Sequence, residues 1–162
     1  MLGLTNCGFQ PVYAPSENGE IAKAASSLAQ IEVAPIYERS GQLLRQALRT
    51  QFEQGNAGTA KAYDLIISYA VNSDTIGTQP DSTASRLRVT GVATWSLVTR
   101  DIARQTLTRG ISRSVDGLNQ INLQYFAADL ATEQVQRRLA NAISDEIALR
   151  LALYFNGKRP AA

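Results

Sequence analysis

The sequence predicts an α+β fold: a two-layer sandwich in which a four-stranded mixed sheet, in the order β-α-β-β-β-α, carries two helices on one face. Three observations point there. Apolar residues recur every fourth position in two stretches, Leu44, Leu48 and Phe52 and then Val135, Leu139, Ile143, Ile147 and Leu151, the spacing of a helix with one buried stripe. Other stretches alternate apolar and polar side chains, as a half-buried strand does. At 162 residues, 44% apolar and 19% charged, the chain is long enough for one core and short for two.

Leu28 to Ile36 alternates well enough for a first strand, stopped by Pro35. Glu38 to Gln54 follows as an amphipathic helix, with Gly55 as its C-terminal stop. Tyr63, Leu65, Ile67, Tyr69 and Val71 share one face of a second strand. Asn72 to Ser85, with Gly77, Pro80, Asp81 and several Ser and Thr, reads as a long polar loop. Arg86 to Arg100 is the clearest strand, with Leu87, Val89, Ala93, Trp95 and Leu97 facing one way and Arg86, Arg88, Thr90, Thr94 and Ser96 the other. Arg104 to Val115 is a fourth strand, small and polar on its even face, while its odd face mixes Leu107, Ile111 and Val115 with Arg109 and Arg113. Ala128 to Phe155 closes the domain as a long helix, ended by Asn156-Gly157. The first two strands, joined through a helix, are expected to run parallel, and the last three to form an antiparallel meander. Trp95 and Tyr69 are expected in the core. Both helices then cover one sheet face and leave the other to water or a partner.

Several function classes are excluded by what is missing. There is no histidine, one cysteine (Cys7), and three lysines beside thirteen arginines. Without an imidazole there is no Ser-His-Asp or Cys-His pair. One Cys and no His cannot make the usual zinc sets, and no disulfide can close within the chain. No phosphate-binding glycine loop appears, since Gly55-Asn56-Ala57-Gly58 lacks the following Lys. No apolar stretch approaches the ~18 residues of a membrane span. The sequence therefore predicts a protein that is not an enzyme, with no cofactor, no metal and no nucleic-acid partner. A carboxylate-only enzyme would need two acids, such as Asp64 and Glu146, close together in a cleft.

The chain opens Met1-Leu2-Gly3-Leu4-Thr5-Asn6-Cys7-Gly8-Phe9. An apolar run ending in Leu-Thr-x-Cys has the shape of a lipoprotein cleavage site, after which Cys7 would begin the mature chain and carry acyl groups. Each buried methylene contributes about 0.8 kcal/mol, so two or three chains anchor a domain firmly. Six residues are fewer than the roughly 7–15 apolar residues of a signal peptide, so residues 1–6 are taken as the remnant of a longer segment. The other reading of Cys7 is a free, buried thiol. Residues 7–27 are expected to be a lipidated tether, 28–157 the single domain and 158–162 a polar tail.

The order of elements, together with Cys7-Gly8-Phe9-Gln10-Pro11-Val12-Tyr13, resembles the lipopolysaccharide-assembly lipoprotein family LptE in its alphaproteobacterial form. The helix opening Arg39-Ser40-Gly41-Gln42-Leu43-Leu44-Arg45 and the closing segment Ala140 to Phe155 are similar to the family's own. The resemblance implies a lipoprotein anchored at the periplasmic face of the outer membrane. It would plug and help assemble the LptD barrel and take part in lipopolysaccharide transport to the cell surface. A periplasmic lipoprotein accessory to another lipid transporter is the alternative. The family is credited with binding lipopolysaccharide through basic loop residues, but here Asn72–Ser85 and Asp116–Glu133 contain no Lys or Arg.

The basic charge lies instead in Arg86–Arg113, where six arginines face one acid, +5 against −3 for the rest of the chain and +2 overall. Arginine's planar fork holds phosphate oxygens in pairs, so Arg86, Arg88, Arg109 and Arg113 are candidate lipopolysaccharide contacts. A solvated strand face guarded against edge pairing is the plainer reading of the same residues, and contact with a polar barrel wall is a third. Phe9, Tyr13, Tyr125 and Phe126 fall in stretches with no obvious core face and are candidate partner contacts.

Overall fold

The computed structural model describes residues 20–53, 58–78, 84–119 and 125–157. In chain order these form α1 (Glu20–Ala29), β1 (Ile31–Val33), α2 (Glu38–Phe52), β2 (Tyr63–Thr78), β3 (Ala84–Thr99), β4 (Thr106–Asn119) and α3 (Tyr125–Phe155). Among the described residues the sheet has the order β1-β2-β3-β4. β1 lies parallel to β2, and β2, β3 and β4 form an antiparallel meander. This is the predicted mixed sheet, with one helix more than expected.

Both long helices lie on the same sheet face, because that is where their apolar stripes find a partner. Leu44, Leu48 and Phe52 of α2 and Ile143, Ile147 and Leu151 of α3 meet Leu65, Ile67, Ala93, Trp95 and Leu97 in one buried cluster. A second cluster joins Val135 and Leu139 of α3 to Val89 and Leu118 farther along the strands. Truncating Leu44 or Ile147 to Ala would cost about 2–5 kcal/mol, the usual range for a large-to-small change in a filled core.

The small residues of β4 explain how α3 comes so near it. Gly110, Ser112 and Ser114 lie on the helix side, and the Trp95 indole spreads over Gly110 while its N–H donates to Ser112 Oγ at 3.2 Å. A Cβ on Gly110 would sit 2.6 Å from Trp95 Cζ2. The polar alternation of this strand is thus turned inward, its one fully buried hydroxyl satisfied by the tryptophan. Trp95 and Tyr69 both belong to the core, as expected.

Several boundaries differ from the sequence reading. Glu20–Ala29 is a helix, packed on α3 and α2, where a tether through residue 27 and then a strand from Leu28 were expected. Only Ile31–Val33 is strand, since the chain leaves the sheet edge ahead of Pro35. The polar stretch from Asn72 is not a loop: residues 72–78 extend β2 and pair with β3, with a bulge near Gly77. β4 likewise runs on to Asn119, and α3 begins at Tyr125. Tyr125 and Phe126, expected in an irregular segment, therefore stand in the first turn of α3.

Candidate functional site: the open sheet face

The face of the sheet turned away from the helices gathers all four candidate arginines. Along β4 the outward positions read Arg109, Ile111, Arg113, Val115 and Gly117, and opposite them on β3 stand Ser96, Thr94, Val92, Thr90 and Arg88. Arg86 follows, opposite Asn119, and β2 completes the face with Ile66, Ser68, Ala70, Asn72 and Asp74. Arg86, Arg88, Arg109 and Arg113 are all exposed. Within the described residues none of the four forms an ion pair.

They form a row rather than a cluster. At ~3.3 Å per residue, Arg109 and Arg113 stand about 13 Å apart along β4. Arg88 lies one strand over and a similar distance farther along. Arg86 reaches back toward β4, its guanidinium 3.9 Å from where a Gly117 Cβ would be. Glycine there leaves the space beside that guanidinium open.

The other two arginines of the basic stretch are engaged. Arg100 Nε and Arg104 meet the two oxygens of Asp64 at 3.1 and 3.5 Å. The turn between β3 and β4 that places them is held by Asp101, whose Oδ1 accepts from Thr99 Oγ1 and the Arg104 amide. Arg104 takes a positive φ of 42° there. The excess charge read from the sequence is therefore neutralised at the turn end and retained along the rest of the face. That division depends on a contact between residues 64 and 104, which strand alternation alone does not reveal.

Three acids on the helix side, Asp116, Glu133 and Glu146, are likewise paired with arginines. Asp116 accepts from Arg138 at 2.7 Å, and this hydrogen bond holds its carboxyl below the usual carboxylate range. Glu133 meets Arg137 and Arg39, tying α3 to α2, and is lowered by the Arg137 hydrogen bond first. Glu146 pairs with Arg150 on α3, in the other layer from Asp64, so those two carboxylates do not share a cleft. A groove of about 280 Å³ opens between the start of α2 and α3, floored by Val71, Leu87, Val89, Leu118 and Val135. Among the described residues no group of His, Cys, Asp or Glu could hold a metal ion, and no helix is long and apolar enough to cross a membrane.

Cys7, Phe9 and Tyr13 lie outside the described residues. Alternation grouped Arg86 with Arg88 and Arg109 with Arg113 within their strands but attached no role to Ile111 and Val115, which stand on the same face at 60% and 53% exposure.

A family model for LptE, described as lipopolysaccharide-assembly, matches residues 28–151, from the end of α1 through most of α3. The chain belongs to the LptE family. Its fold is shared by solved structures. A Caulobacter crescentus protein described as a lipoprotein is 28% identical, with a TM-score of 0.66 over 85% of this chain and 98% of that one. Rare lipoprotein B of Shewanella oneidensis and lipoprotein B of Nitrosomonas europaea are each 10% identical. The first has a TM-score of 0.52, covering 78% of this chain and 93% of that one; the second has 0.58, covering 79% and 84%. At that identity the likeness is one of fold alone. No curated protein sequence matches. The LptE match takes in the whole sheet, so the arginine row is carried by the family domain itself.

Proposed function

We propose that this LptE-family chain is a lipoprotein held by acyl groups on Cys7 at the periplasmic face of the outer membrane, where it plugs the LptD barrel, assists its assembly and takes part in lipopolysaccharide transport to the surface. It acts by binding rather than by bond chemistry. The observation that carries this reading is the family match across residues 28–151. Arg86, Arg88, Arg109 and Arg113 supply the lipopolysaccharide contacts, since guanidinium groups unpaired within the described residues offer phosphate two parallel donors each. Phe9 and Tyr13 contact the partner from the N-terminal stretch, and Tyr125 and Phe126 from the first turn of α3.

The test is purification of the tagged chain from solubilised native membranes, with mass spectrometry of the N-terminal peptide in the same sample. LptD is expected in the eluate, and the peptide beginning at Cys7 is expected to carry acyl mass. An acylated chain recovered without LptD would instead mark an accessory to another lipid transporter. An unmodified Cys7 would remove the anchor.

A further inference from the structure

Helix α1 holds to the body by small side chains. Ala24 and Ala29 are buried and Leu28 packs half-buried on the core, while Ala25 and Ser26 are exposed. Where the longer helices bury Leu44, Leu48, Ile143 and Ile147, α1 offers α3 and α2 mainly alanine. The free energy of burial grows with the apolar area covered, so α1 belongs to the weakly held end of the molecule.

The place where the grip tightens is sharply marked. The amides of Ala62 and Tyr63 donate to the Gln30 carbonyl at 2.9 and 3.2 Å. Lys61 Nζ donates to the carbonyls of Ala29 and Ile31 at 3.0 and 3.1 Å, bridging the last residue of α1 and the first of β1. Three consecutive carbonyls are thus pinned by the segment that leads into β2. The family match takes up the chain at nearly the same place, residue 28, so Glu20 to Ser27 precede it.

Off the body, α1 cannot keep its shape. Its ten residues fall below the roughly 12–15 at which an isolated helix holds together in water. Undocking and unwinding are therefore one event. The helix spans about 15 Å and the same residues extended about 33 Å, so release adds about 18 Å ahead of a fixed point at Gln30.

We propose that α1 is a releasable strap. It undocks and unwinds from Glu20 to about Leu28 while the sheet, α2 and α3 stay folded, and the clamp of Lys61 on Ala29 and Ile31 is where release stops. Release is a property of the fold. Its use rests on the Cys7 anchor proposed above: with Cys7 acylated, the strap lengthens the tether between membrane and body.

Hydrogen exchange of the purified full chain, read by mass spectrometry on peptic peptides, tests the strap. Peptides of α1 should exchange on the order of a hundredfold faster than those of α3, with the change falling between Leu28 and Ile31. Ala24→Asp puts a charge into the buried contact and should bring α1 to the rate of an unprotected chain, while the α2 and α3 peptides and the urea midpoint stay native. Ala25→Asp, exposed on the same helix, should change α1 exchange by at most about threefold. Equal protection of α1 and α3 in the native chain would overturn the strap, as would equal effects of the two substitutions. So would Ala24→Asp loosening α2 and α3 together with α1, or fast exchange running on through β1. An unmodified Cys7 would remove the anchor and leave the release standing.

Discussion

The indole of Trp95 lies over Gly110 and donates to Ser112, so three residues on two strands depend on one another. Replacing Gly110 by Ala puts a methyl group 2.6 Å from the ring, and the tryptophan must move in a filled core. The expected loss is about 1–3 kcal/mol, the range for overpacking, read as a lower urea midpoint at unchanged slope. Tyr69 is the opposite case. Its hydroxyl is buried without a hydrogen-bond partner among the described residues, and burial pushes it from 10.0 up to about 12. A hydroxyl that ionises later in the folded state supports folding fully below pH 10. That support is lost as the pH rises through about 12, because the unfolded chain releases its proton first. Tyr69→Phe should thus be at least as stable as the native chain at neutral pH, where only an unsatisfied group is removed. It should also lose less stability on going above pH 10. Native and variant curves that stay parallel through that range would show the hydroxyl to be solvated.

Helix α2 is seated through Gly41, whose Cβ would meet Ile36 Cγ2 at 2.6 Å and the Ile36 backbone carbon at 3.2 Å. Helix propensity alone favours alanine over glycine by about 1 kcal/mol. The contact with Ile36 argues the other way, and backbone gives less readily than a side-chain tip. Gly41→Ala is therefore expected to destabilise by about 1–3 kcal/mol. A raised melting temperature would show that α2 can slide on the sheet. The same element shows what a sequence reveals. Leu44, Leu48 and Phe52, like Val135 through Leu151, state their helix because a buried stripe must repeat with the helical period. α1 marks its stripe less plainly: Ala24 and Ala29 are buried and Leu28 packs half-buried on the core, but alanine signals a face weakly in a ten-residue helix. The distal part of β2 was illegible for another reason. Asn72, Ser73, Asp74 and Thr75 carry loop chemistry, and it is pairing with Thr90, Val89, Arg88 and Leu87 that makes them strand. The arginine row was half legible. Alternation put Arg86 with Arg88 on one face of β3 and Arg109 with Arg113 on one face of β4, while their shared sheet face and their spacing needed the register between strands.

Across the whole molecule the overall +2 conceals a division between layers. The helix side spends its acids on arginines of its own, as Asp116 does on Arg138 and Glu133 on Arg39 and Arg137. Asp64 occupies Arg100 and Arg104 at the turn. The arginine row on the open face is left without an ion pair within the described residues. Because the row is exposed and holds no described partner, replacing Arg86, Arg88, Arg109 and Arg113 together by Gln should leave folding nearly intact, each change within about ±0.5 kcal/mol. It reverses the sign of the net charge and removes the field on one layer only. Binding of anionic lipid by the native chain should therefore weaken as salt rises, since the Debye length falls from about 30 Å at 0.01 M to about 8 Å at 0.15 M. The four-fold variant should bind weakly at both salt concentrations, with a melting temperature close to native. If it instead keeps its lipid and its salt dependence but no longer recovers the LptD barrel, the arginines face the barrel wall, and the lipid seat lies elsewhere on the molecule.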